Sequence, residues 1–104
     1  MQNGKTVLPV RWLPPECLSS GKFTIQSDMW SFGMTLFELF SYGDVPFGDL
    51  SNNEVLTAVM SGMKPQLPSS FPEPINNLIS QCWRNAPEER ITASEALNRL
   101  QIIQ

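Results

Sequence analysis

One segment constrains the fold more than any other because it is apolar over most of its circumference: SDMWSFGMTLFELFS, residues 27–41. At helical spacing the apolar side chains fall on two adjoining faces, Met29, Phe32, Leu36, Leu39 and Phe40 on one and Trp30, Met34 and Phe37 on the other. Between them lies only a narrow polar stripe, Ser31, Thr35 and Glu38. A helix with so little polar surface belongs in a protein interior. The segment therefore predicts a buried central helix, with Ser27 or Asp28 as its N-cap.

Four further segments carry helical signals. Residues 14–21 open with two prolines suited to a first helical turn, and residues 51–62 form a compact run between a polar start and a glycine. In residues 75–83 and 92–103 the apolar positions recur every three or four residues. The expected helix caps and stops are Ser51 or Asn52, Thr92 paired with Glu95, Gly21 and Gly62. No segment alternates as a strand would, so we expect an all-α fold of about five helices joined by long loops.

Composition narrows the function classes. The 104 residues suffice for one domain, and the 16% of charged residues is below the usual ~25%. This deficit predicts that another polypeptide covers part of the surface. A net charge of −3 without a basic run argues against a nucleic-acid partner, and no apolar run is long enough for a membrane span. The chain has no histidine, which excludes mechanisms that need a histidine base or metal ligand.

A second unusual segment lies near the N-terminus, LPVRWLPPE, residues 8–16. Its three prolines fix backbone angles and remove hydrogen-bond donors, so it is built to hold one extended shape. A segment of this kind serves either as a docking surface or as a structural corner.

Three motifs in order, LPVRWLPPE, SDMWSFGMTLFELFSYGDVPF and CWRNAPEER, resemble the C-terminal lobe of a protein tyrosine kinase. The family pattern is PVRWMAPE, then SDVWSFGVVLWEIFSYG, then CWxxDPxxRP. The PPE variant is most similar to neurotrophin-receptor kinases and to the related orphan and muscle-specific receptor kinases. The resemblance implies that residues 1–104 are part of a protein kinase domain, from the end of the activation segment onward.

The resemblance also implies a substrate-docking role for Leu8, Pro9 and Val10. In tyrosine kinases the proline at the place of Pro9 forms a flat platform for the acceptor tyrosine. The rigid ring is suited to stacking an aromatic side chain at small entropic cost. The alternative is that Pro9 is an ordinary loop proline.

Three charged residues receive structural roles from the same resemblance. Glu16 and Arg90 match a glutamate and an arginine that form a semi-buried ion pair. Asp28 matches an aspartate that holds the backbone of the catalytic loop, and its alternative role, favoured in the isolated chain, is that of an N-cap.

The parts needed for phosphoryl transfer are missing from the sequence. Kinases use a glycine-rich loop, a lysine on a strand, a helix glutamate, a catalytic-loop Asp and Asn, and a DFG aspartate for Mg²⁺. None of these motifs occurs here, and residues 47–49 read FGD, the letters of DFG in the wrong order. We therefore expect no catalytic, cofactor-binding or metal residues in this chain. ATP and Mg²⁺ would belong to the longer kinase, and the chain alone would be inactive.

Two functional hypotheses remain open. In the first, the chain is a fragment of a receptor-type tyrosine kinase, located in the cytoplasm or on the cytoplasmic side of a membrane receptor. Its partners would be a protein tyrosine substrate and the remainder of the kinase domain. In the second, it is a non-catalytic helical interaction module or pseudokinase-like regulator. That module would bind a kinase or adaptor through exposed apolar faces, with residues 49–60 as the natural contact.

Overall fold

The computed structural model describes residues 10–103, except for the side chain of Ile103. This range contains helices and turns but no strand, so the all-α prediction of five helices is confirmed. The helices are α1 (Pro15–Ser20), α2 (Ile25–Phe40), α3 (Asn52–Met60), α4 (Glu73–Cys82) and α5 (Ala93–Ile103). Two short 3₁₀ turns, Val10–Trp12 and Pro87–Glu89, complete the described elements. No helix within residues 10–103 has both the length and the apolar character required to cross a bilayer.

Helix α2 is the centre of the molecule, and α4 packs along it. Trp30 and Met34 on α2 have no exposed surface. The two helices approach each other closely at Gly33, where an added Cβ would lie 2.7 Å from both Cys82 Cβ and Trp83 Nε1. Only glycine fits there, because a methyl group at that distance overlaps both neighbours. The core that results is formed by Met29, Trp30, Met34, Leu36, Phe37, Val55, Val59, Phe71, Ile75, Leu78, Ile79, Cys82, Trp83, Ile91 and Ala96.

The start of α2 corrects one expectation. The N-cap is Thr24, not Ser27 or Asp28, so the helix begins three or four residues earlier than predicted. The Thr24 hydroxyl accepts from the Ser27 backbone N–H at 3.2 Å, and the Ser27 hydroxyl accepts from the Thr24 N–H at 2.7 Å. Ser27 is thus the reciprocal third residue of a capping box, a position at which Glu or Gln is the usual signal.

The prediction that Leu39 belongs to the buried face of α2 is also wrong. Leu39 is 66% exposed. It lies four residues after Thr35, which is exposed as well, so both side chains project from the same side of α2. The buried surface of α2 is therefore narrower towards its C-terminal end than the sequence suggested.

The other predicted helix ends are confirmed. Ser51 caps α3, and the Thr92–Glu95 pair caps α5 through reciprocal bonds of 3.1 Å. Gly21 and Gly62 follow α1 and α3 with positive φ angles of 73° and 94°. These ends fix the lengths of the loops that surround α2.

Candidate functional site

The turn Val10–Trp12 is the described end of the predicted docking segment. Leu8 and Pro9, two of its three predicted docking residues, lie outside the described residues. Val10 is half-buried and packs against the core. The turn contacts both α2 and α3, so it bridges these two helices.

Arg11 attaches this turn to the loop between α2 and α3. Its guanidinium donates to the carbonyl oxygens of Pro46 at 3.0 Å, Phe47 at 2.8 Å and Leu50 at 2.6 Å. Phe47 has a φ of 55°, an uncommon value for a residue with a side chain. The three bonds, together with the packing of Phe47 against the core, hold the loop in this conformation. We call Arg11, Pro46, Phe47 and Leu50 the Arg11 cluster.

Trp12 attaches the same turn to α2. Its indole Nε1 donates to Glu38 Oε1 at 2.7 Å, and its backbone carbonyl accepts from the Ser31 hydroxyl at 2.7 Å. Ser31 and Glu38 belong to the narrow polar stripe of α2, so this stripe binds the Val10–Trp12 turn to the helix. The residues that follow Val10 are therefore anchored at two independent places.

A surface groove of about 690 Å³ adjoins the Arg11 cluster. It runs between residues 44–50 and residues 63–66, and Phe47 and Leu50 belong to both features. Two carboxylates, Asp44 and Asp49, line one side, while Lys64 lies on the other. Partial burial, with a smaller contribution from Arg90, lowers the pKa of Lys64 from its ordinary value. An open groove of this size can accommodate a segment of polypeptide.

Glu16 and Arg90 are brought together by the fold. Arg90 Nη1 lies 2.6 Å from Glu16 Oε2, and Nη2 lies 2.8 Å from Oε1, so the contact is bidentate. The Arg90 side chain is fully buried and donates to three carbonyl oxygens as well, those of Gln26, Arg84 and Asn85. Its guanidinium also lies 5.1 Å from the centre of the Trp30 ring. We call Glu16, Gln26, Trp30, Arg84, Asn85 and Arg90 the Arg90 cluster.

The Glu16 carboxyl responds to this environment. Burial alone would raise its pKa, but the hydrogen bonds and charge of Arg90 outweigh burial, and the pKa is lowered below its ordinary value. The carboxylate is therefore charged at neutral pH. The pair connects the start of α1 to the segment between α4 and α5.

Asp28 is exposed in the first turn of α2 and does not cap it. It lies at the rim of an apolar groove of about 370 Å³ between α2 and α5. The groove is lined by Met29, Phe32, Ala93, Ala96, Leu97 and Leu100. The structure thus places Asp28 beside an apolar surface formed by α2 and α5.

No three side chains of the metal-ligating types converge within residues 10–103. Cys17 and Cys82 are free and buried, and burial raises the pKa of both thiols, that of Cys82 to about 12. Both thiols are therefore poor metal ligands and poor nucleophiles at neutral pH.

Reasoning from the sequence missed Arg11 entirely. All of its partners are backbone carbonyls, which leave no trace in the residue types of the loop. The available signal was a single arginine between apolar residues in PVRW. The bonds that Trp12 forms with Glu38 and Ser31 were not predicted either.

Comparison with known proteins identifies relatives of the whole chain. The family model described as protein tyrosine and serine/threonine kinase matches residues 1–100. The leukocyte tyrosine kinase receptor of Mus musculus is 41% identical over 100 residues, which are 96% of this chain and 11% of the receptor. The BDNF/NT-3 growth factors receptor of Gallus gallus is 42% identical over 98 residues, 94% of this chain and 12% of the receptor.

A third relative is the high affinity nerve growth factor receptor of Rattus norvegicus, 37% identical over 100 residues, 96% of this chain and 12% of that receptor. The predicted resemblance to receptor tyrosine kinases is confirmed, although the leukocyte receptor was not among the expected subfamilies. The chain spans only about one eighth to one ninth of the length of these curated relatives.

Proposed function

The chain belongs to the protein tyrosine and serine/threonine kinase family, and we propose that it forms the acceptor-docking part of a tyrosine kinase domain. In this role Leu8, Pro9 and Val10 support the ring of a substrate tyrosine. The observation that carries the proposal is the double anchoring of the residues immediately after Val10. Arg11 binds loop carbonyls at 2.6–3.0 Å, and Trp12 binds Glu38 at 2.7 Å.

Rigid anchoring supports docking for an energetic reason. A platform that is already fixed loses little conformational entropy when a ligand binds, so more of the contact energy appears as affinity. The adjoining groove between residues 44–50 and 63–66 provides space for the residues that flank the acceptor. The polypeptide substrate would thus run from the docking segment along this groove.

A photocrosslinking experiment tests the docking role. A peptide carrying a benzophenone in place of the acceptor tyrosine is irradiated with the 104-residue chain, and the attached residues are mapped by mass spectrometry. We expect attachment at residues 8–10 and a lower yield in Pro9→Ala. Pro74→Ala alters an exposed proline of α4 and serves as the matched control. Attachment spread evenly over the surface would contradict the proposal.

We propose further that this chain alone transfers no phosphoryl group. ATP and Mg²⁺ belong to the chemistry of the family, but residues 10–103 contain no set of ligands for the metal, and the sequence lacks the motifs that bind the nucleotide. A radiolabel assay with MgATP and a tyrosine-containing polymer should give no turnover above a buffer control. Turnover by the pure chain would refute this part while leaving the docking result intact.

The groove between α2 and α5 supports a proposal about partners. Its apolar lining and the exposure of Asp28 at its rim suit a surface that the remainder of a kinase domain covers. In that assembly Asp28 would hold backbone N–H groups of the catalytic loop. Residues 1–104 would then be part of one kinase domain on the cytoplasmic side of a receptor.

A second candidate function is a non-catalytic interaction module. It is favoured by exposed apolar side chains on and after α3, where Leu56, Met60 and Met63 are 39%, 49% and 56% exposed. A purified kinase domain lacking its own α3 counterpart would be retained by the immobilised chain, and Met60→Ser would reduce retention. Retention unchanged in Met60→Ser and Leu56→Ser would count against this module.

A further inference from the structure

We propose that Tyr42, the only tyrosine of the chain, is a phosphoacceptor site for a tyrosine kinase acting in trans, and that its modification loosens the C-terminal turn of α2. The proposal is independent of the docking role. It rests on the conformation and exposure of this one residue.

Helix α2 ends in a tight turn closed by two backbone hydrogen bonds. The Gly43 N–H donates to the Glu38 carbonyl at 2.8 Å, and the Tyr42 N–H donates to the Leu39 carbonyl at 3.3 Å. This is the Schellman arrangement, whose penultimate residue adopts a left-handed conformation and is usually glycine. Tyr42 occupies that position with a φ of 60°.

The end of α3 uses the same arrangement with the expected residue. There the Met63 N–H donates to the Ala58 carbonyl at 2.9 Å, and the Gly62 N–H donates to the Val59 carbonyl at 3.0 Å. Gly62, at the place that corresponds to Tyr42, has a φ of 94°. The left-handed position is therefore occupied by glycine at the end of α3 and by tyrosine at the end of α2.

No packing contact within the described residues offsets the cost of the left-handed backbone at Tyr42. Phe47 also has a positive φ, but its ring is partly buried against the core and its carbonyl accepts from Arg11. The Tyr42 side chain, in contrast, is 99% exposed. A bulky residue in a strained conformation, with its ring entirely in solvent, contributes nothing to packing. Such an outlier points to a role outside the fold.

The surroundings suit access by an enzyme. Residues 42–45 are all exposed, so an approaching protein meets four consecutive accessible residues. Opening the turn breaks the two backbone bonds, one of them long, and the bond that the Asp44 N–H donates to the Ser41 hydroxyl at 3.1 Å. It also relieves the left-handed conformation of Tyr42. The segment can therefore become extended at lower cost than a turn closed by glycine.

The reaction is a phosphoryl transfer in which the added kinase supplies MgATP chemistry. The Tyr42 phenolic oxygen forms a bond to the γ-phosphorus of ATP as the bond to the β,γ-bridging oxygen breaks. ADP leaves with that electron pair, and the phenolic proton passes to the base of the acting kinase. The product carries a phosphate beside the C-terminal carbonyls of α2, with Glu38 and Asp44 nearby in sequence. Negative charge at a helix C-terminus is unfavourable, so the modified turn is weakened.

The test uses the folded 104-residue chain, a catalytically complete receptor tyrosine kinase domain and MgATP, with the product measured by intact mass. We expect one added phosphoryl group and none in Tyr42→Phe. A peptide of residues 36–48 provides the unstructured reference, and the folded chain should react within about tenfold of its rate. A site reached only through global unfolding would be slower by three orders of magnitude or more, because so little of the chain is unfolded.

Three results would overturn the proposal. Modification of the peptide but not of the folded chain would show that the turn is inaccessible to a kinase. Failure of both across several receptor kinase domains would show that the segment is no substrate. We expect modification to lower the thermal midpoint by a few degrees. An unchanged midpoint would show that phosphorylation does not loosen α2.

Discussion

In both the Arg90 cluster and the Arg11 cluster an arginine connects separate segments of backbone, but the two arginines differ in burial and in charge pairing. In each, one guanidinium binds three backbone carbonyl oxygens. All three acceptors of Arg11 lie in a loop, whereas Arg90 binds two in the segment after α4 and one, Gln26, in α2. Arg90 is fully buried and its charge is matched by Glu16. Arg11 is half-buried and forms no ion pair within residues 10–103.

This difference separates a part that maintains the fold from a part that shapes a surface. The Arg90 cluster joins α1, α2 and the segment after α4, so its loss affects the whole core. The Arg11 cluster joins the Val10–Trp12 turn to one loop, so its loss affects local geometry. Substitutions of Arg90, Glu16 and Arg11 test whether this division holds.

The largest effect is expected from Arg90→Met. Removing one partner of a buried, hydrogen-bonded pair typically costs about 3–5 kcal/mol. A small domain has a total stability of only about 5–15 kcal/mol, so much of that margin would be lost. Urea denaturation followed by circular dichroism measures the change. Arg84→Met, at an exposed arginine of the same segment, is the control, and an equal loss there would remove the special role of Arg90.

Glu16→Gln should cost less, about 1.5–3 kcal/mol at pH 7, the usual range for hydrogen bonds to a charged group. Because the folded pKa of Glu16 is lowered, its contribution is present above the unfolded value of about 4.3 and is lost as pH falls through the folded pKa. Stability measured between pH 7 and pH 3 should therefore fall less steeply in Glu16→Gln. Glu88→Gln, at an exposed glutamate, should retain the original slope.

Gly33→Ala tests the packing beside the Arg90 cluster. The new methyl group would overlap Cys82 and Trp83, both buried, and overpacking of this kind costs about 1–3 kcal/mol. The better helix propensity of alanine, up to about 1 kcal/mol, offsets only part of this loss. Thr35→Ala, at an exposed position of the same helix, should change stability by less than about 0.5 kcal/mol. A neutral Gly33→Ala would mean that α2 and α4 can move apart freely.

The two clusters also differ in how far the sequence could predict them. Helix α4 was predictable because Ile75, Leu78, Ile79 and Cys82 follow helical spacing, and all four are buried. The Glu16–Arg90 contact came from the family resemblance, since two residues 74 positions apart leave no periodic signal. Arg11 escaped prediction because its acceptors are carbonyls, and their positions depend on the loop conformation rather than on side-chain type.

The two wrong predictions for α2, its N-cap and the burial of Leu39, each have a local cause. The capping box at Thr24 has serine at its third residue instead of the usual Glu or Gln, so its signal was hidden. Leu39 was assigned to the core by residue type, although its neighbour at helical spacing, Thr35, is exposed. Hydrophobic pattern predicts which helices exist, but tertiary contacts decide where the buried face ends.

Arg11→Met should lower stability by about 1–2 kcal/mol, since net contributions of single hydrogen bonds are about 0.5–1.5 kcal/mol and the site is partly solvated. The main effect should be local: chymotryptic cleavage after Phe47 should become faster, because the loop carbonyls lose their donors. Arg99→Met, at an exposed arginine of α5, provides the control. Uniformly faster cleavage at sites throughout the chain would place Arg11 with Arg90 as a residue that maintains the whole fold.

The smallest effect should be a gain. Tyr42→Gly relieves the left-handed conformation at the end of α2 and should stabilise the chain by about 0.5–1 kcal/mol, part of the relief being offset by the greater freedom of glycine in the unfolded state. Gly62→Ala is the reciprocal change, since φ there is also positive and an added Cβ would meet only Asn85 at an ordinary 3.5 Å. It should destabilise by a similar amount. If both variants shift the urea midpoint in the same direction, strain is not what distinguishes these two helix ends, and the exposed tyrosine would need another explanation.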